Sequence, residues 1–160
     1  MAKRNRYKIF IDSDLKFHVV PITNVSELEY YSFLKKMKRE GLTQFLFTSR
    51  LTINLLIQLL SENNIEITNI ELYDSDDDTS KRLKKIFNDF KEKRITEKEI
   101  HKLLDYLEDD YSIDIRNVKL RNVIENYGPL NLFVNGIFEN SSDSYWNDTL
   151  LKALNTVWDK

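Results

Sequence analysis

Residues 44–73 read QFLFTSRLTINLLIQLLSENNIEITNIELY, and this stretch decides the predicted fold. It opens with a short apolar strand at 44–48, of the kind that is buried on both faces of a sheet. A helix follows from about 50 to 62, and it should be nearly surrounded by protein because its polar stripe is thin: Asn54, Gln58 and Ser61. A second strand follows at 65–73. Such a strand–helix–strand unit is typical of a sheet with parallel strands.

The same alternation continues on both sides of this unit. Strands are predicted at 7–12 and 15–22, around the turn Asp12-Ser13-Asp14, and at 113–121 and 130–134. Two amphipathic helices at about 80–109 predict an inserted antiparallel helical hairpin, and a last helix is expected at about 143–158. The predicted fold is therefore one α/β domain at 7–160, with a mixed, mainly parallel sheet flanked by helices, behind a basic tail at 1–6.

One internal echo bears on this fold. Residues 65–72 (IEITNIEL) resemble residues 113–120 (IDIRNVKL) at an offset of 48 positions. A duplicated helix–strand unit and convergent patterning both explain the echo, since any buried helix that leads into a strand uses similar residues.

Composition excludes several function classes. The chain has 160 residues, about one domain, and 41% of them are hydrophobic, which indicates a folded protein. The absence of cysteine excludes disulfides, thiolate metal sites and cysteine nucleophiles. The three glycines are too far apart for a phosphate-binding loop or a dinucleotide fingerprint. A net charge of −2 gives no overall attraction to nucleic acid or acidic lipid.

The apolar runs are too short for secretion or membrane insertion. The run at 9–11 ends at Asp12, whereas a signal peptide needs an apolar region of about 7–15 residues. The run at 51–60 is about half of a membrane span and contains polar residues. The sequence therefore predicts a cytoplasmic protein without membrane contact.

Carboxylates and hydroxyls follow two of the predicted strands. Asp12 and Asp14 come after the first strand, and Thr48 and Ser49 come after the strand at 44–48. This order resembles the haloacid-dehalogenase phosphotransferases, although Leu15-Lys16 stands where that family has Gly-Thr. The resemblance implies that Asp12 is the nucleophile, Asp14 the general acid/base and Thr48 or Ser49 the phosphate-binding residue, with Mg²⁺ as cofactor. Ordinary turn chemistry explains Asp-Ser-Asp equally well.

A third acidic segment, Asp74, Asp76 and Asp78, would join Asp12 and Asp14 as metal ligands in that interpretation. The same three residues fit positions 1, 3 and 5 of a calcium-binding EF-hand loop. Thr79 and Lys85 then occupy the positions that need Gly and a bidentate Glu, so an EF-hand is excluded. Acids ahead of a helix also simply suit its dipole. Outside the enzyme interpretation, no cofactor is predicted.

The two histidines do not form a catalytic motif. His18 lies on a predicted strand and His101 on a predicted helix, where it shares a face with Glu97, Asp105 and Glu108. That face could hold a carboxylate-oriented base, but a solvated charged face is commoner.

Basic residues in two segments favour a nucleic-acid interpretation. They would contact phosphates through the N-terminal tail and through the first helix of the hairpin. These residues are Lys3, Arg4, Arg6 and Lys8 in the tail, and Lys81, Arg82, Lys84 and Lys85 in the helix.

The C-terminal helix carries both tryptophans, Trp146 and Trp158, about 18 Å apart along its axis and turned by about 120°. One core cannot easily bury both rings, so Trp146 is expected to pack inward and Trp158 to be partly exposed. The predicted docking surface consists of Trp146, Leu151, Leu154 and Trp158.

Because chemistry-bearing residues are scarce, the leading prediction is a small non-enzymatic binding or regulatory protein. It would dock on a protein partner, as inhibitors, immunity proteins and mobile-element accessory factors do, and a homodimer is an alternative. A Mg²⁺-dependent phosphotransferase and a nucleic-acid-associated protein are the two other hypotheses.

Overall fold

The computed structural model describes residues 5–22, 26–62, 64–73, 77–110, 113–140 and 144–158. It contains a seven-stranded sheet and five helices. In chain order the elements are β1 (Asn5–Ile11), β2 (Phe17–Pro21), α1 (Glu27–Arg39), β3 (Thr43–Gln44), α2 (Ser49–Glu62), β4 (Ile65–Leu72), α3 (Asp77–Lys91), α4 (Glu97–Asp110), β5 (Ile115–Asn122), β6 (Leu130–Phe133), β7 (Ile137–Asn140) and α5 (Tyr145–Trp158).

The strands follow the order β2-β1-β7-β6-β5-β4, β3 pairs with β1, and every pairing is antiparallel. The prediction of a mainly parallel sheet is therefore wrong. Its physical error lies in the strand–helix–strand unit at 44–73, because the two strands of this unit are not neighbours: β3 pairs with β1, whereas β4 pairs with β5 at the far edge of the sheet. The strands β4 and β5 are neighbours, and the helical hairpin α3–α4 returns the chain between them so that they run antiparallel. The neighbours β1–β2, β5–β6 and β6–β7 are joined directly, without a helix, whereas β1 pairs with β3 and β7 from more distant parts of the chain.

The β6–β7 hairpin was not predicted, although Asn135-Gly136 is a strong hairpin signal. Gly136 has a φ of +85°, and a Cβ at this position would collide with the carbonyl oxygen of Phe45. The segment after β3 crosses this tight turn, where Phe45 N donates to Ile9 O (3.0 Å) and Phe47 N donates to Val134 O (2.7 Å). Only glycine allows the two backbones to approach so closely.

The main core lies between one face of the sheet and helices α2–α5. As predicted, α2 is almost entirely buried, with Leu55, Leu56 and Leu59 fully inaccessible. On the opposite face, α1 packs on β1, where the Phe33 ring meets the Phe10 ring edge-on at 5.8 Å between centroids.

The part of this opposite face formed by β4–β7 is polar. Charged residues on this face pair between β4 and β5, Glu66 with Arg121 and Glu71 with Arg116 (3.1 Å), and between β1 and β7, Arg6 with Glu139 (3.3 Å). One solvated and one buried face is the usual arrangement of an antiparallel sheet. Among the described residues, no helix is long and apolar enough to cross a membrane.

Candidate functional site

The first acidic cluster closes the β1–β2 hairpin. Asp12 Oδ1 accepts hydrogen bonds from the backbone amides of Asp14 (2.9 Å) and Lys16 (3.0 Å), and Oδ2 lies 2.7 Å from Nε2 of His18. The hydrogen bond to His18, followed by that from the Lys16 amide, holds the pKa of Asp12 below its usual value. Both carboxylate oxygens are therefore engaged in turn formation.

The proposed phosphotransfer constellation is not assembled. Because β3 runs antiparallel to β1, Ile11 pairs with Thr43, so Thr48 lies further along a segment leading away from Asp12. Five residues of extended chain span roughly 17 Å. Thr48 Oγ1 accepts a hydrogen bond from Leu51 N (3.1 Å) at the start of α2, and Ser49 Oγ accepts one from Ile115 N (3.3 Å). These hydroxyls therefore already have structural roles.

The other metal-ligand candidates do not join this site. Asp74 and Asp76 lie outside the described residues, and Asp14 and Asp78 are exposed on different elements, the β1–β2 turn and α3. No group of three or more potential metal-ligating side chains occurs within the part of the chain that the structure describes.

Most of the described basic candidates have structural partners. Arg6 pairs with Glu139, Lys8 is fully buried with Nζ donating to Asn135 O, and Lys84 Nζ donates to Thr68 O (2.9 Å). Arg82 also has a partner, Lys81 and Lys85 are exposed, and Lys3 and Arg4 lie outside the described residues. The nucleic-acid hypothesis therefore retains few cations that could contact phosphates.

The two tryptophans of α5 differ as expected. Trp146 is fully buried, and its Nε1 donates to Gly128 O at 3.0 Å. Trp158 is 41% exposed. Of the other two residues in the predicted docking surface, Leu154 is fully buried and Leu151 is partly exposed. Trp146 and Leu154 therefore belong to the core, which leaves Trp158 as the aromatic surface of this helix.

Trp158 packs beside β2, a terminal strand of the sheet. Its ring lies edge-on to Phe17 of β2, at 5.7 Å between centroids, and to Phe45, at 5.4 Å. The remaining exposed part of the indole therefore adjoins the edge of the sheet. We name Phe17, Val19 and Trp158 the β2-edge surface.

The outer edge of β2 has hydrogen-bonding groups that face away from β1. Asp12 N donates to Lys16 O (3.0 Å) and Ile22 N donates to Arg6 O (2.9 Å), which sets the alternation of bonded pairs along the hairpin. By this alternation, Val20 and His18 bond to β1, whereas the backbone groups of Phe17 and Val19 point outward. No strand within the described residues pairs with this edge.

The opposite edge of the sheet is covered. Two lysines of α3 reach the outer backbone of β4: Lys91 Nζ donates to Ile65 O (2.6 Å) and Lys84 Nζ donates to Thr68 O (2.9 Å). Charged side chains on an edge discourage pairing with other strands. The two edges of the sheet therefore differ. Lysine side chains bond to the outer backbone of β4, whereas the outer backbone of β2 has no strand partner among the described residues.

The sequence indicates the exposed Trp158 but not the open edge at β2. The turn and both strands of the hairpin were predicted, yet no local signal shows which strand ends a sheet. That property depends on the order of all strands, and the predicted parallel arrangement gave no reason to place β2 at an edge.

Comparison of the chain with protein-family models, with curated proteins and with solved structures found no match.

Proposed function

We propose that this chain is a cytoplasmic binding protein without chemistry of its own, and that a protein partner adds an extended segment to β2. The observation that carries this proposal is the half-exposed Trp158 beside β2, whose outer edge has no partner strand within the described residues. In strand addition, main-chain hydrogen bonds supply affinity and neighbouring side-chain contacts supply specificity.

The β2-edge surface offers both kinds of contact. Phe17 and Val19 each present an outward amide and carbonyl, and Pro21, which has no amide, presents a carbonyl only. On the core side of the sheet, Trp158 adds an aromatic ring of the kind enriched at binding hot spots. A partner strand with apolar side chains on that side would cover the exposed part of the indole.

The test compares variants of the β2-edge surface in affinity purification from the source cells. Val19→Pro removes an outward amide that β1 does not use, so the hairpin should remain folded. Val19→Ala retains the amide and is its matched control. Trp158→Ala removes the aromatic contact, and Tyr106→Ala, at a side chain 72% exposed on α4, is the control for loss of a surface aromatic.

We expect one protein to be captured by the unaltered chain and by both control variants, and to be lost with Val19→Pro and Trp158→Ala. Purified partner should then shift the fluorescence of Trp158. Sedimentation of the unaltered chain over a range of concentrations tests a second copy as the partner. Identical capture and self-association for all variants would contradict the proposal.

A further inference from the structure

A second candidate site is a cleft between α2 and α4, which α5 also borders. The cleft has a volume of about 280 Å³, with Ile57 and Val157 as aliphatic lining. Its polar lining comes from one face of α2 and one face of α4. Arg50, Asn54, Gln58 and Ser61 come from α2, and Glu97 and His101 come from α4.

Gln58 is the observation that points to a ligand. Its side chain is only 9% exposed and lines the cleft, yet it makes no hydrogen bond to any described residue. The buried side-chain atoms without a partner in the described chain are Asn117 Oδ1 and Asn140 Oδ1, so the amide of Gln58 is instead accessible from the cleft. Asn54 lies one helical turn away on the same face and also lacks a protein partner among the described residues. Two carboxamides therefore offer donors and acceptors to whatever occupies the cleft.

The charges around the cleft indicate the sign of that occupant. Arg50 is already neutralised, since its guanidinium lies 3.3 Å from Asp105 and 3.8 Å from Glu108. Glu97, at the other end of the cleft, has no ion pair within the described chain. Of the charged lining residues Arg50 and Glu97, Arg50 is therefore offset by carboxylates outside the lining and Glu97 is not, which favours a cationic ligand.

We propose that the α2–α4 cleft binds a small aliphatic amine, with its ammonium group at Glu97 and its remaining hydrogen-bonding groups at the carboxamides of Gln58 and Asn54. The aliphatic chain would lie on Ile57 and Val157. This site is separate from the β2-edge surface, so either proposal can fail without the other.

The test uses three probes with four-carbon chains that differ in charge: putrescine, 1,4-butanediol and succinate. Each is titrated into the full chain, and the side-chain amide signals of Gln58 and Asn54 are followed by NMR. We expect putrescine to shift these signals, 1,4-butanediol to bind at least about tenfold more weakly because it lacks the charge, and succinate to cause no shift.

Two variants assign the binding to the cleft. Gln58→Leu and Glu97→Gln should each weaken putrescine binding about tenfold, whereas Asp78→Asn, at an exposed acid on α3, should leave it unchanged. Because Glu97 is exposed, Glu97→Gln keeps the test valid even if Gln58→Leu disturbs packing. The proposal is overturned if putrescine shifts neither amide, if succinate binds as well as putrescine, or if both cleft variants bind putrescine like the unaltered chain.

Discussion

Lys8 places a positive charge in the interior of the protein. Its side chain is fully buried, Nζ donates to Asn135 O, and no carboxylate of the described residues pairs with it. Burial without a counter-charge lowers the pKa of Lys8 from 10.5 to about 8. At pH 7 the folded protein therefore carries a desolvated ammonium that the unfolded chain would leave in water.

Lys8→Met should raise the free energy of unfolding at pH 7, because it keeps a similar aliphatic stem and removes the charge. The lowered pKa corresponds to a penalty of about 3 kcal/mol. Below pH 8 the amine is charged in both states and the penalty is complete. Between about pH 8 and 10.5 it disappears, since the folded state loses its proton first.

Urea unfolding of both proteins from about pH 7 to 10.5 measures this effect. The advantage of Lys8→Met should shrink as the pH rises, whereas an advantage that stays constant would show that burial of the charge is not its cause. Lys85→Met, at an exposed lysine of α3, is the control and should change stability by no more than about 0.5 kcal/mol.

Asp12 has the opposite pH dependence. Because its pKa is lowered in the folded state, chiefly by the hydrogen bond to His18, its stabilising effect is present above the ordinary pKa of Asp and is lost as the pH falls. Asp12→Asn should lower the melting temperature at pH 7, and the difference from the unaltered chain should close in acid. Asp14→Asn is the matched control, since Asp14 contributes only its backbone amide to the turn. Equal effects of the two substitutions would contradict the structural role of Asp12.

At the scale of elements, the positions of helices could be predicted from the sequence better than the pairing of strands. The spacings Ser26-x-x-Glu29 and Thr96-x-x-Glu99 indicate helix caps, and in the structure Ser26 Oγ accepts from Glu29 N, and Thr96 and Glu99 exchange reciprocal hydrogen bonds. The four helices predicted at 50–62, 80–109 and 143–158 correspond to α2, α3, α4 and α5. Strand direction could not be read in this way, because it depends on whether one helix or two connect neighbouring strands, and alternation of elements does not show which strands are neighbours.

The contrast between the two sheet edges yields a prediction for α3. Replacing Lys84 and Lys91 by Met exposes the carbonyl oxygens of Thr68 and Ile65 on β4, so a second open edge is created. We expect faster aggregation on mild heating, measured by light scattering, and a stability loss of about 1–3 kcal/mol for each hydrogen bond.

The matched control for this double variant replaces Lys81 and Lys85, two exposed lysines of the same helix, by Met. It removes the same charge without uncovering β4. If both double variants aggregate equally fast, the loss of two positive charges and not the uncovered edge is responsible.

At the scale of the whole molecule, both candidate sites arise from contacts between distant parts of the chain. Trp158 meets Phe17 across most of the sequence, and Gln58 shares a cleft with Glu97 on another helix. The sequence indicated each residue type: an aromatic near the chain end, a thin polar stripe on α2 and a charged face on α4. Their juxtaposition depends on the packing of the helices against the antiparallel sheet, which local periodicity does not encode.

The two tryptophans test whether the core and the β2-edge surface are energetically distinct. Trp146→Ala removes a fully buried ring and its hydrogen bond to Gly128, so it should cost about 3–5 kcal/mol of unfolding free energy. Trp158→Ala removes two edge-on aromatic contacts from a ring that is 41% exposed. Each such contact contributes about 0.5–1.5 kcal/mol, so a loss of about 1–3 kcal/mol is expected.

Leu103→Ala, at a side chain 42% exposed on α4, is the control and should change stability by about 0.5 kcal/mol or less. Urea unfolding followed by circular dichroism ranks the three variants. A Trp158→Ala loss as large as that of Trp146→Ala would place Trp158 in the core, whereas a loss no larger than that of Leu103→Ala would mean that Phe17 and Phe45 do not hold the indole beside β2.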